Sequence, residues 1–349
     1  MAAATLRPLL ALTPAAAKPA HGIVRLSANE NPYGPSPAAL RAMREALALA
    51  WRYPDETVEG LLADLASLHG APKDWFVVGD GSSEILKLAA SAFTGAGRKL
   101  VMAEPSFEAI GKHAQVSGAE VVSVPLDAAY AHDLERMTVP GAGLVYLCNP
   151  NNPTGSVTPK AKVRAFLEAL PASTAVLVDE AYHHYADGPE YESVIPLVKA
   201  HPNLVVARTF SKIYGMAGLR LGYAVAQPET AKKLRAHAAW DSVNAVAVAA
   251  GRASLKDAAY VTEGRRRNGA TKAQLVRELG RIGYEVIPSQ TNFIMIETRK
   301  EVKPLIAALA DRGVQVGRLF PALPRHLRVT IGTPAQMKRF LDAFSAAMA

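Results

Sequence analysis

"LVVARTFSKIYGMAGLRLGYAV", residues 204–225, sets two apolar runs on either side of a turn that carries Lys212, Gly215, Gly218 and Arg220. The first run, Leu204 to Arg208, is short and β-branched and reads as a buried strand; Leu221 to Val225 reads as another. Lys212 therefore falls just past a strand end, where an open α/β sheet places its ligand site. A lone loop lysine is ordinarily solvated. Its surroundings have to decide.

Upstream, strands and helices alternate. Strands are expected at 75–78, 99–103, 120–124, 144–148 and 175–179, and helices at 36–50, 57–70, 82–93, 105–117 and 159–169. Ser36 followed by Pro37 is a helix start, and Gly70 a helix end. Several strands are continuous apolar runs, the pattern of a sheet covered on both faces. The fold class that follows is α/β, a doubly wound, mostly parallel sheet. Beyond about residue 256 the pattern changes to a long helix (257–279), strands near 284–287, 293–297, 314–317 and 327–331, and helices at 301–312 and 334–347. The expected division is an N-terminal arm over 1–30, a large domain over 31–255 and a smaller α+β domain over 256–349.

Composition agrees with an enzyme-sized globular chain. Of 349 residues, 50% are hydrophobic and 20% charged. The net charge of +8 is spread along the chain, and Arg265-Arg266-Arg267 lies in a helical stretch, so no nucleic-acid site is expected. No apolar run reaches membrane-spanning length. The single cysteine, Cys148, excludes an internal disulfide. The Ala-, Leu- and Pro-rich start lacks a twin arginine and is broken by Pro14, which reads as an extended arm; a leader remnant is the other reading. The expected location is cytoplasmic, with an exported form under the leader reading.

Polar residues gather at strand ends. "VVGDGSSEILK" leaves a strand and enters a helix at Ser82, so backbone N–H groups and two hydroxyls make an anion cradle, or an ordinary junction. "YLCNPNNPTG" follows its strand with a rigid turn able to aim an asparagine amide. "AVLVDEAYHHY" ends its strand on Asp179 and Glu180, and buried carboxylates there need a cation or a ligand.

NPNNPTG, DEAY, FSK and GLRLG, in that order and at these separations, resemble the fold type I pyridoxal-phosphate aminotransferases. "SANENPYGPSP" (27–37), "RYPD" (52–55) and "LRVTIGT" (327–333) are similar to the histidinol-phosphate aminotransferase branch, and the resemblance runs from about residue 24 to the C-terminal end. It implies pyridoxal 5'-phosphate as cofactor and a ping-pong, Schiff-base transfer of an amino group between a small amino compound and a 2-oxo acid. Lys212 then carries the cofactor, Asp179 pairs with its ring nitrogen, and Asn152 and Tyr182 hydrogen-bond its phenolic oxygen. Gly81, Ser82, Ser83, Ser211 and Arg220 cradle its phosphate, Phe107 stacks on its ring, and Tyr53 reaches the phosphate held by a partner copy in a homodimer. On the substrate side the resemblance points to Arg328 for an anionic group, with Asn29, Tyr33, Asn244, Trp240 and His183 around it. No third ligand accompanies His183-His184, so no metal site is expected.

Two departures stand out. Phe107 replaces a tyrosine usual in the family, which keeps stacking and loses a hydroxyl. Near the C-terminus the family often has an arginine where this chain has Gly317, with Arg318 one place later. A one-residue shift in a strand turns a side chain to the other face, so Arg318 is expected to miss a substrate phosphate. Alternatives carried forward are an aminotransferase for aromatic or other amino acids, a decarboxylase or lyase on the same residues, and a non-catalytic regulator. The intact Lys212, Asp179 and Arg220 set argues against the last.

Overall fold

The computed structural model of the chain describes residues 22–349. The outer part of the expected N-terminal arm lies outside the described residues. In chain order the strands are β1 (Val24–Arg25), β2 (Phe76–Gly79), β3 (Lys99–Glu104), β4 (Val121–Pro125), β5 (Ala142–Cys148) and β6 (Ala175–Asp179). They continue with β7 (Leu204–Thr209), β8 (Gly222–Val225), β9 (Glu285–Val286), β10 (Phe293–Glu297), β11 (Val314–Gln315) and β12 (His326–Thr330).

Strands β2 to β8 form one seven-stranded sheet in the order β2-β8-β7-β6-β5-β3-β4. Neighbours pair in parallel except where β8 runs antiparallel to β7 and β2. Alternate residues of each strand feed opposite faces. Val101, Val145, Val176 and Val206 pack into one apolar cluster, and Leu100, Leu144, Leu177 and Val205 into another. A strand buried on both sides has no polar phase, hence the unbroken apolar runs. The doubly wound α/β fold expected from the sequence is the fold found.

Local signals act as their chemistry requires. Ser36 Oγ accepts a hydrogen bond from the Ala39 N–H and Pro37 opens the helix Pro37–Ala46, while Gly70 closes the helix Asp55–His69 in a left-handed conformation. The helix Ser82–Phe93 starts at the expected serine.

A second core gathers around the antiparallel sheet β12-β10-β9 and the helices Ala258–Arg281, Val302–Asp311 and Pro334–Met348. Val24 and Leu26, near the start of the described chain, belong to it. β1 pairs in parallel with β11, Val24 opposite Val314. The arm expected to run to residue 30 is therefore built into the fold from residue 24 onward, because two apolar residues there have a core to enter. β11 ends at Gln315, short of the 314–317 expected, so the residues after it are free of strand alternation.

Candidate active site

The carboxyl ends of β2, β3, β5, β6 and β7 open on one cavity of about 470 Å³ that also reaches β12 and the chain near residue 28. Each strand end delivers a side chain to it. Asp179 closes β6, Lys212 follows β7, Asn152 follows β5, Phe107 follows β3, and Ser82 and Ser83 follow β2.

Asp179 is buried, its Oδ2 accepting from the Tyr146 hydroxyl at 3.0 Å and its Oδ1 from the Ala181 N–H at 3.0 Å. Burial pushes its carboxyl up to about 6, against the pull of these hydrogen bonds and of Lys212. Lys212 Nζ donates to the Ala28 carbonyl at 3.4 Å and sits 5.6 Å from the Tyr182 ring. Burial first, then the Arg328 charge, lowers its pKa to about 8. The Tyr182 hydroxyl accepts from Asn29 Nδ2 at 3.0 Å, which leaves its own proton to donate into the cavity. Burial raises the Tyr182 pKa, so that proton stays on.

Arg220 enters from the other side. Its Nη1 donates to the Ala217 carbonyl at 2.9 Å and to Ser211 Oγ at 3.4 Å, and its Nη2 to the Asp80 carbonyl at 3.3 Å. Gly81 makes room for it: a Cβ on residue 81 would lie 2.2 Å from Arg220 Nη2. Arg220 and Asn29 both hold left-handed backbones, φ 57° and 54°. For side-chain-bearing residues that costs of order 1 kcal/mol or more and persists where surrounding contacts fix it. The hydroxyls of Ser82 and Ser83 make no hydrogen bond among the described residues, and no side chain caps the helix they open. Free N–H groups, free hydroxyls and a guanidinium facing one space are an anion cradle.

Arg328 is buried on β12 between Leu327 and Val329, both of which enter the second core. Alternation then turns its guanidinium to the cavity. Nη1 donates to Asn152 Oδ1 at 2.7 Å and Nη2 to the Ser27 carbonyl at 2.7 Å, while its Nε has no partner. With Oδ1 occupied, the Asn152 amide is left to donate into the cavity from Nδ2.

These residues fit pyridoxal phosphate. A phosphate cradle, a buried carboxylate for a ring nitrogen, donors for a phenolic oxygen and a lysine with a depressed pKa share one space with an aromatic ring, Phe107. The Aminotransferase class I and II family model matches residues 21–344. The chain belongs to that family. It is 45% identical over 332 residues to the histidinol-phosphate aminotransferase of Symbiobacterium thermophilum, covering 94% of this chain and 91% of the relative. It is 40% identical over 336 residues to histidinol-phosphate aminotransferase 1 of Cupriavidus pinatubonensis, covering 94% and 89%. The solved histidinol-phosphate aminotransferase of Sinorhizobium meliloti, in complex with pyridoxal-5'-phosphate, is similar with a TM-score of 0.86 and 30% identity, covering 93% of this chain and 90% of that one. The chain is a pyridoxal-phosphate-dependent transaminase of the histidinol-phosphate aminotransferase type.

Not every expected residue of this aminotransferase lines the cavity. Trp240 is 95% exposed and Tyr53 78%, and neither faces it; Tyr33 lies under Arg267 at 4.9 Å. Asn244 caps the helix Ala245–Leu255, its Oδ1 accepting from the Ala247 N–H. His183 points into the protein, its Nδ1 3.2 Å from the Tyr191 hydroxyl and its ring against His184. Burial and the nearby Arg208 keep both imidazoles neutral. His183 is not a wall of this cavity, because the turn after Tyr182 carries it into the aromatic core. Arg318 corrects an expectation in the other direction. It lines the cavity, since β11 has ended before it and no strand register turns it away. Tyr146, Glu108, Lys112 and Phe320 also belong to the site, and sequence reasoning had not named them. Nothing in the sequence marks Tyr146: its lone hydroxyl in an apolar strand gains a role only once β5 is seen beside β6, which ends in Asp179.

Among the described residues no helix is long and apolar enough to cross a membrane.

Proposed function

We propose that this transaminase takes its amino group from a donor with a distal anionic group, histidinol phosphate being the first candidate, and passes it to a 2-oxo acid such as 2-oxoglutarate. One observation carries the reading: two guanidiniums, Arg328 and Arg318, lie 5.2 and 4.4 Å from the same Phe320 ring in the cavity that holds Lys212. A 2-oxo acid needs a cation for its carboxylate, and a phosphorylated donor needs one for its phosphate. The names of the relatives point the same way.

Bound pyridoxal phosphate supplies an electron sink for the pair released when the substrate carbon loses its proton. The chain's own groups do the rest. Ser82, Ser83, Ser211 and Arg220 hold the phosphate end, Phe107 covers the ring, and Asp179, steadied by Tyr146, holds the proton on the ring nitrogen. Asn152 and Tyr182 donate to the phenolic oxygen. Lys212 Nζ would move the substrate proton, a contribution typically worth about 10²–10⁴-fold. Arg328 grips a carboxylate. Tyr53, Trp240 and Tyr33 face a second copy of the chain in a homodimer, and the enzyme works in the cytoplasm. The division at residue 255 separates a cofactor-binding domain from a smaller one.

The test is a panel of donors, each mixed with the loaded enzyme and followed by absorbance for loss of the aldehyde form. Histidinol phosphate is expected to react fastest, ahead of glutamate and of aromatic and basic amino acids. Fast reaction with aromatic amino acids and none with histidinol phosphate would overturn the substrate, and release of carbon dioxide without amino transfer the reaction.

A further inference from the structure

Arg318, which the reading above counts as a cation for substrate, already has a counter-ion in the cavity. Arg318 Nη2 is 2.7 Å from Glu108 Oε2, and Lys112 Nζ is 3.5 Å from Glu108 Oε1. All three residues line the cavity, and the carboxylate is half exposed. The backbone just before Arg318 is held close to β12. A Cβ on Gly317 would lie 2.8 Å from the Arg328 carbonyl oxygen and 2.9 Å from its Cβ, so a bare residue is required beside β12. The Phe320 ring, 4.4 Å from the guanidinium carbon, then supports Arg318 on the cavity side. Arg328, 5.2 Å from the same ring, already has hydrogen bonds to Asn152 and to the chain at Ser27. The outer guanidinium instead has a side chain of the protein as its counter-ion, on a loop that follows β3.

We infer that Glu108 is a specificity-determining residue: it occupies Arg318 as a resident counter-ion and is displaced by a second anionic group on the substrate. This rests on the reading of Arg328 as the grip for a carboxylate. A ligand whose only anion is a carboxylate uses Arg328 and leaves the Glu108–Arg318 pair closed. A ligand with two anions has to open that pair, and gains Arg318 and Lys112 for its distal group while facing the repulsion of Glu108. Glu108 thereby weakens the binding of dianionic ligands and leaves that of monoanions alone. The distal group is a carboxylate or a phosphate-type anion, the two being alike to a guanidinium fork.

Wild-type, Glu108→Gln, Arg318→Gln and the double variant, each as cofactor-loaded enzyme, are titrated by calorimetry with butyrate, glutarate and 3-phosphonopropionate. Glu108→Gln is expected to leave butyrate unchanged and to tighten glutarate or 3-phosphonopropionate by about three- to tenfold, the range of a half-exposed ion pair with added repulsion. The gain should vanish in the Arg318→Gln background and shrink at high salt. Whichever dianion gains more names the distal group. No change for either dianion, an equal change for butyrate, or a gain that survives without Arg318 would each overturn the inference. Butyrate binding to Arg328→Gln tests the underlying reading separately: undiminished binding there removes Arg328 as the grip, whereas the ratio of dianion to butyrate judges Glu108.

Discussion

Lys212 is out of water in the folded chain, and burial with the neighbouring Arg328 charge lowers its pKa from 10.5 to about 8. Below pH 8 the ammonium is charged in both the folded and unfolded states, and folding carries its desolvation cost. Between pH 8 and 10.5 the unfolded state binds the extra proton, so stability rises with pH across that window. Lys212→Met should therefore stabilise the cofactor-free protein at pH 7 by roughly 1–3 kcal/mol, after allowing for the lost attraction to Asp179. That advantage should fade by pH 10.5 in urea unfolding followed at several pH values; a constant difference would mean the lysine is not strained. In the loaded enzyme, borohydride reduction and peptide mapping should find the cofactor on Lys212, and label on another lysine would remove it from the mechanism. Arg328→Ala should raise KM about tenfold or more, the loss of a charge-assisted contact of about 1.5–3 kcal/mol, while cofactor absorbance is kept. Such residues were legible because a charge at a strand end needs a reason. Tyr146 was not, since a tyrosine in an apolar strand reads as core until its neighbour is known.

At the level of elements, strands β6 and β7 are tied together just beneath the site. Arg208, near the end of β7, meets Glu180 with Nη2 at 2.6 Å and Nε at 2.7 Å, and both side chains are almost wholly buried. Glu180 also accepts from the Val194 N–H and the Ser193 hydroxyl, so one carboxylate fixes a strand end and the segment crossing it. Arg208→Met should cost about 3–5 kcal/mol, because it leaves the carboxylate buried without its cation. Adding Glu180→Gln should recover part of that loss in the same unfolding experiment; a further loss would mean that the pair does not act through charge. The strands themselves could be read from the sequence as buried apolar runs. Their order could not, because pairing across a sheet leaves no local mark. The reversed direction of β8 had a local clue: the residues between β7 and β8 hold no helix beyond the short turn Ala217–Leu219, whereas a parallel return usually crosses over through a full helix. The length of β11 was overread by two residues, which was enough to turn Arg318 the wrong way.

On the scale of the whole molecule, the aromatic residues Trp51, Tyr53 and Trp240 are, with Val116, the most exposed of the large apolar side chains among the described residues. In the homodimer proposed above they would meet a second copy, with Tyr53 serving the partner's site. Mixing Lys212→Ala with Tyr53→Phe protein should then regain activity, since each mixed dimer has one site with both residues intact. No recovery in verified mixed dimers would put Tyr53 within its own site or outside catalysis. A single sequence is silent on what faces such residues, because exposure in one chain and burial in an assembly look alike in composition. The pairing of β1 with β11 has a further consequence, for the order of events during synthesis. Val24 leaves the ribosome long before Val314, and Ser27 before Arg328, whereas Ala28 meets Lys212 sooner. A nascent chain halted after β8 has every strand of its large sheet but no partner for its first one. The pocket is thus closed by residues made long after the partners they meet, and a chaperone that holds residues 24–30 would delay the enzyme's maturation without touching its main sheet.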